Sequence, residues 1–246
     1  MLLLRLVAPL QSWGVQSHFV HRDTGLEPSK SGVMGVLCAA LGIDRDDDGG
    51  LQRVAAVNLG VRVDREGVVK RDFHTAGVYK SDVGGGYLQA QGTLERKTPV
   101  VSERFYLADA AFLVGLHSDD RALLEDLYAA LQAPRWPLFL GRKACVPGEP
   151  LFFKDPALAL QENLLVEVLN TFPRLRPKRH RDDPDWMRGL VEDPSGEIAR
   201  QDQPLSFRKG ARQFAVRRMR FKRLGAGESL PLLNEFAQDP KGLQDL

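Results

Sequence analysis

Three short polar stretches stand out, and the second and third carry side chains suited to holding an anion. The first is Gln11-Ser12-Trp13, on a turn bounded by Pro9 and Gly14. The second is Pro28-Ser29-Lys30-Ser31-Gly32. It opens an apolar set at helical spacing (Val33, Met34, Val36, Leu37, Ala40, Leu41) that Gly42 stops. A helix N-terminus offers unpaired amides and the positive end of a dipole, and Lys30 would add a full charge. An ordinary N-cap at Ser29 satisfies the same pattern without a ligand. The third is Leu140-Gly141-Arg142-Lys143-Ala144-Cys145-Val146-Pro147. There a glycine lets the backbone approach a ligand and two cations can reach phosphate oxygens, although a charged turn accounts for the residues equally well. For acid–base chemistry the candidates are His18, His21 and His74, with Lys30 or Tyr79 beside them, since such chemistry needs a base at the proton it takes and a cation at the developing negative charge.

The elements that must position these residues follow from periodicity. Leu2 to Val7 is an apolar run with one charge, Arg5, and reads as a largely buried strand. The helix over 30–41 follows. Asp44 to Gly50 reads as a solvated acidic turn, since it lacks the glutamate and glycine placement of a calcium loop. Val54 to Val63 reads as a strand, 64–67 as a hairpin turn, and Val68 to Ala76 as the returning strand. Tyr79 to Arg104 changes character: Gly84-Gly85-Gly86 and Gly92 stand among Tyr79, Lys80, Arg96, Lys97 and Arg104, with little apolar mass to bury. It reads as an exposed arm ordered against a partner, or else as a surface loop. The glycine triplet lacks the Lys-Ser/Thr of a nucleotide-binding loop.

Phe105 to Leu116 reads as one strand, and Asp119 to Gln132 as an amphipathic helix with Leu123, Leu124, Leu127 and Leu131 on one stripe. The order strand, helix, strand, strand, arm, strand, helix is that of a ferredoxin-like βαββαβ core, an α+β fold whose last strand would fall near 138–140. Gln161 to Asn170 is a further strand candidate.

With 246 residues, 43% hydrophobic and 27% charged, the chain has the composition of a globular protein with a real core. Two cysteines, Cys38 and Cys145, exclude a disulfide framework and a four-cysteine zinc site; they fit a reducing, cytoplasmic setting. No apolar run approaches the ~18 residues of a membrane span. Net charge is only +2, but its distribution is uneven. Residues 174–223 hold fifteen Lys or Arg against seven Asp or Glu. Arg217 to Leu224 reads as a strand with a basic face, and such a run suits a polyanion. The tail from Gly225 is acidic and reads as partly disordered. A ferredoxin-like or RRM-type core with basic loops points to RNA. The aromatic RNP signature is absent, so recognition by loops fits better than recognition on the sheet face.

Five stretches, in register, resemble a known family: LRLVAPLQSWG, PSKSGVMGVLCAALGI with the acidic RDDD, RDFHTAG, ERFYLADAAFLVGL and FLGRKACVP. Together they are similar to the CasD group, the type I-E branch of the Cas-five family of the CRISPR surveillance complex Cascade. The match runs over about residues 1–150. The resemblance implies an RRM-like palm (1–78 and 105–170) with an inserted thumb hairpin (79–104); the basic C-terminal region (171–246) is read from its own residues. It implies a subunit that caps the 5′ handle of CRISPR RNA, with the thumb toward the backbone subunit CasC and the palm against the large subunit CasA. Target DNA would be met only indirectly, and neither cofactor nor metal nor small-molecule substrate is implied. The handle would lie near Gln11, Ser12, Trp13, Lys30, Ser31, Arg104, Tyr106, Gly141, Arg142 and Lys143, while Tyr79, Lys80, Arg96 and Lys97 would serve the assembly arm. On this reading Trp13 either stacks a base or closes the core, and Arg104 stacks or pairs with phosphate. In the type I-E group cleavage belongs to a separate subunit, CasE, so the resemblance implies a non-catalytic role. Two alternatives are a metal-independent endoribonuclease acting on precursor CRISPR RNA and an RNA-binding module outside CRISPR.

Overall fold

The computed structural model describes residues 1–14, 21–76, 78–80, 86–88, 94–96, 100–177 and 184–225, with side chains of 76–100 outside that description. Its first half holds β1 (Leu2–Val7), β2 (Leu10–Gln11), β3 (His21–Arg22), α1 (Lys30–Leu41), α2 (Asp48–Ala55), β4 (Asn58–Arg65) and β5 (Val68–Ala76). The span after β5 holds β6 (Val78–Lys80), β7 (Gly86–Leu88) and β8 (Leu94–Arg96). Next come β9 (Val100–Ala108), β10 (Ala111–His117) and α3 (Arg121–Gln132). The chain continues through α4 (Pro156–Ala159), α5 (Leu165–Thr171), β11 (Met187–Glu192), β12 (Ile198–Ser206) and β13 (Gln213–Leu224).

A six-stranded antiparallel sheet runs in the order β1-β10-β4-β11-β13-β12. The alternation of β1, β4 and β10 sends Leu2, Leu4, Leu6, Leu59, Val61, Val63, Phe112, Val114 and Leu116 to one face, all buried. There they meet α1 and α3, which pack on each other. The opposite face of β4 and β10 is covered by α5. Gly60 and Gly115 make room for it: a Cβ at Gly115 would stand 2.4 Å from Leu165 Cδ1, and one at Gly60 would stand 2.7 Å from Leu169 Cδ1. Arg62, fully buried on that face, pairs with Asp64 through two contacts of 2.7 and 2.9 Å. It also donates to the carbonyls of Leu169, Phe172 and Pro173, satisfying the end of α5. Among the described residues no helix is long and apolar enough to cross a membrane.

Several elements differ from their sequence expectations for identifiable reasons. Val54 and Ala55 end a helix rather than begin a strand, because the Asp47 side chain caps Gly50 N at 2.8 Å and turns the acidic stretch into α2. Gln161 to Asn170 gives α5, with Val168 and Leu169 buried together and Leu164 and Val166 exposed. The Phe105 to Leu116 strand is two strands, broken at Asp109, whose φ of 56° lies in the left-handed region that Asp tolerates. β4 and β5 do not pair as a hairpin. β5 instead forms a nine-residue ladder with β9, from Val68↔Ala108 to Ala76↔Val100, in a second sheet with β2 and β3. The strand expected near 138–140 does not form. Residues 148–161 run beside β1 instead, through Gly148 N to Val7 O, Arg5 N to Leu151 O and Gln161 N to Met1 O, each 2.9 Å.

In the arm, β6, β7 and β8 form a three-stranded antiparallel sheet beyond the open end of the β5–β9 ladder. The side chains of Tyr79, Lys80, Arg96 and Lys97, most of the glycine triplet, His18, the cations of 178–181 and the tail from residue 226 lie outside the described residues.

Candidate functional site

The turn after β1 is built from the inside. Gln11 is buried; its amide donates to the carbonyls of Leu6 (3.1 Å) and Ala110 (2.9 Å), and its oxygen accepts from Trp13 Nε1 (3.0 Å). That bond turns the Trp13 indole inward, against Gly32 of α1, where an added Cβ would stand 2.8 Å from the ring. Trp13 is 1% exposed, so its faces are not presented to a base. Of the two roles open to it, closing the core is the one it takes here.

Ser12 joins this turn to the Gly141 loop. Its amide donates to Leu140 O at 3.1 Å and its hydroxyl to Phe105 O at 3.3 Å. Gly141 has φ 98°, and a Cβ there would lie 1.7 Å from Ser12 O. Only glycine fits. Arg142 then lies over the Tyr106 ring, 4.7 Å from its centroid. Its guanidinium donates to Phe105 O (3.0 Å), Arg22 O (2.8 Å) and Asp23 O (3.1 Å). Arg142 thus ties the loop to β3 and β9, and Tyr106, buried beneath it, is a support. Lys143 stands exposed at the tip of the loop.

At the start of α1, Ser29 caps Gly32 N at 3.2 Å. The anion that the helix N-terminus favours is present, and it belongs to the chain itself. Asp202 Oδ2, from β12, accepts from Lys30 N at 2.9 Å, and Arg217 holds the same carboxylate with contacts of 2.6 and 3.0 Å. The Lys30 ammonium is buried and meets both Glu192 oxygens at 2.9 and 3.1 Å. Burial pulls it below the usual lysine range, and Glu192 only partly restores it. Lys30 is therefore committed internally, whereas Ser31 faces a cleft. Arg104, half-buried on β9, contacts Ser102 Oγ at 3.3 Å.

That cleft, about 510 Å³, brings together Ser12, Trp13, Ser31, Gly141, Arg142 and Lys143. Gln11, Lys30, Arg104 and Tyr106 are not in its lining. Sequence reasoning missed Arg22, Arg45, Trp136, Phe207 and Phe214, and placed Arg212 only within a basic cluster. The carboxylates in the lining are Asp23 and Asp44. Arg45 gave no signal because it sits inside an acidic turn.

Much of the remaining basic cluster is neutralised internally. Arg188 bridges Glu27 and Glu66, at 2.5 and 3.0 Å, and Arg200 also reaches Glu27. Arg220 pairs with Asp193 at 2.6 Å. Burial works against a charge on Glu27, but the two guanidiniums outweigh it and hold the carboxyl below its ordinary range. Of the histidines, His21 lies 3.2 Å from Glu103 with its side chain 60% exposed, and His74 is exposed on β5. No group of three His, Cys, Asp or Glu among the described residues could hold a metal ion.

Residues 1–220 match the family described as CRISPR-associated protein, Cas5. The chain is 36% identical over 175 residues to the CRISPR system Cascade subunit CasD of Escherichia coli (strain K12), covering 65% of this chain and 75% of that one. A solved structure described as a crystal structure of a Cas protein superposes with a TM-score of 0.68 at 40% identity, over 91% of this chain and 94% of the other. A chain from a CRISPR RNA-guided surveillance complex superposes with a TM-score of 0.73 at 33% identity, over 92% of this chain and 90% of that one. The sheet, the packed loops and these matches agree: the chain belongs to the Cas5 family of CRISPR-associated proteins.

Proposed function

We propose that the chain is a non-catalytic subunit of a type I-E CRISPR surveillance complex and holds the 5′ handle of CRISPR RNA in the cleft beside Ser12, Ser31 and the Gly141–Lys143 loop. The observation that carries this is the cleft's lining. It holds five cationic side chains and two carboxylates, and Lys143 stands free at its edge. An excess of positive charge around a narrow cleft favours the backbone of a single strand. Recognition runs through loops because α5 covers the sheet face on which RRM-type proteins stack bases.

The strand order β1-β10-β4 with α1 and α3 on one face supports a ferredoxin-like palm, lacking its last strand. In this reading the arm over 79–104 is the thumb that docks on the backbone subunit CasC, and the palm meets the large subunit CasA. The complex works in the cytoplasm and reaches target DNA through its guide RNA. A ribonuclease site assembled around Lys30 is disfavoured, because that ammonium is committed to Glu192.

The test is incubation of labelled precursor repeat RNA and mature CRISPR RNA with the purified chain, alone and with its partner subunits, without added metal. Denaturing and native gels then read length and binding. Intact RNA in a shifted native band is expected. Specific cleavage abolished by His74→Ala or His21→Ala, or no RNA retained in any assembly, overturns the proposal.

A further inference from the structure

The hairpin between β12 and β13 brings a cation to the cleft from the far end of the chain. Gly210, with φ 79°, turns it, and Ala211 N closes the turn on Arg208 O at 3.1 Å. Arg208 anchors it. Its guanidinium pairs with Asp48 at 3.0 Å and donates to Asp46 O at 3.3 Å. The anchor seats the hairpin on the turn that carries Arg45. Phe207 and Phe214, at the two roots of the hairpin, pack with ring centroids 6.4 Å apart and line the cleft. Arg212 lines it too, alongside Arg45 and Arg22.

Among the described residues, none of Arg22, Arg45 and Arg212 forms an ion pair through its guanidinium. They lie close enough to repel: partial desolvation of an otherwise exposed side chain and the charges of Arg45 and Arg22 pull Arg212 below the usual arginine range. Asp23 and Asp44 share the lining but pair with none of the three guanidiniums, and like charges set together without an ion pair bear a strain that an anionic ligand would relieve. Elsewhere in the C-terminal segment Arg188, Arg200, Arg217 and Arg220 each have an acidic partner, while Arg218, which has none among the described residues, donates to Gly196 O at 3.0 Å and lies outside the cleft lining.

We infer that Arg212, Arg45 and Arg22 form a phosphate-binding site for single-stranded RNA, with the β12–β13 hairpin as one wall of the cleft. The ligand class rests on the RNA-holding role proposed above. The cleft's volume is that of a small-molecule pocket, which suits a single splayed nucleotide. Phe207, Phe214 and Trp136 supply the apolar part of such a pocket.

Fluorescence anisotropy of a labelled single-stranded RNA, carrying the repeat-derived 5′ segment, is read against salt for the full chain. The Arg45→Ala/Arg212→Ala variant should bind at least about tenfold more weakly, with a salt slope lower by about 1.4, since each phosphate contact on a single strand contributes about 0.7. A control, Arg218→Ala/Lys222→Ala, removes the same charge from β13 outside the cleft lining and should lose far less. Unchanged affinity in Arg45→Ala/Arg212→Ala, or an equal loss in the control, overturns this site and leaves the RNA-holding role standing. Equal affinity for DNA of the same sequence overturns the assignment to RNA. A wild-type chain that binds no RNA at any salt overturns both. Thermal melting of each variant checks that the exposed Arg45, Arg212 and Arg218 and the half-buried Lys222 leave the fold intact.

Discussion

Arg142 and Lys143 are neighbours in one basic loop, yet the structure gives them different work. Arg142→Ala removes three hydrogen bonds to the carbonyls of Phe105, Arg22 and Asp23 and the stack over Tyr106. Hydrogen bonds from a charged donor are each worth about 1.5–3 kcal/mol when buried. Two of the three here are only partly buried and one is exposed, so water recovers much of the loss and about 2 kcal/mol is the net expectation. For a chain of this length that corresponds to a drop in Tm of about 4–8 °C. Lys143→Ala removes an exposed cation with no partner among the described residues, and should stay within about 0.5 kcal/mol of the parent. Both variants should weaken RNA binding, but for different reasons. Lys143→Ala loses a phosphate contact and lowers the salt slope by about 0.7. Arg142→Ala loosens the loop that carries the contact. Urea unfolding together with RNA titration at several salt concentrations separates the two. Equal unfolding midpoints for Arg142→Ala and the parent would refute the clamp, and a destabilised Lys143→Ala would refute the division of labour.

Three further expectations follow from packing and charge. Lys30→Ala should destabilise the fold by about 3–5 kcal/mol, because Glu192 is left buried without its cation; Glu192→Gln in the same chain should recover part of that in urea unfolding, and additive losses would contradict the coupling. Gly115→Val should cost about 1–3 kcal/mol by overpacking against Leu165, a loss visible as a lower Tm and absent if α5 is not seated there. Acid should weaken the fold. Glu27 is held below its ordinary 4.5 and Asp193 falls from 3.8 to about 2, so the unfolded chain binds more protons in that window. Stability is then full above the ordinary carboxylate range and lost as pH falls through the lowered values. Tm measured at about pH 5 and about pH 3 should differ, and Glu27→Gln should shrink the difference. An unchanged difference would remove Glu27 from the account.

The parts of the fold legible in the sequence are those decided by local periodicity. β1, α1 and α3 carry their own apolar stripes and caps, and each forms where its pattern says. Elements settled by distant contacts were not legible. The alternating leucines and valines of 161–170 suit a strand or a helix equally, and two glycines about fifty and a hundred residues upstream decide for the helix by opening a seat for it. The partner of β5 lies across the whole arm, so no local turn signal could assign it. Trp13 shows the same limit on a single side chain. Its type fits stacking, and the Gln11 oxygen two residues away turns it inward.

The helix start at Ser29-Lys30-Ser31 carries the sharper lesson about charge. The physics that predicts an anion there is sound, and an anion is found, but it is Asp202 held by Arg217. A helix N-terminus does not distinguish a phosphate from an internal carboxylate; both meet the same amides. The same ambiguity runs through the basic C-terminal segment, where counting residues gives a large positive excess and pairing removes part of it from the surface. What separates a binding site from structural charge is therefore not cation density but cations that line the cleft and that the fold leaves without an ion pair. By that criterion Lys30 leaves the candidate site, Lys143 stays, and Arg22, Arg45 and Arg212 enter it. These three come from a short strand, an acidic turn and a distant hairpin, and they share a site because Arg208 fastens the hairpin to Asp48 while Gln52 holds its root through the carbonyls of Pro204 and Leu205.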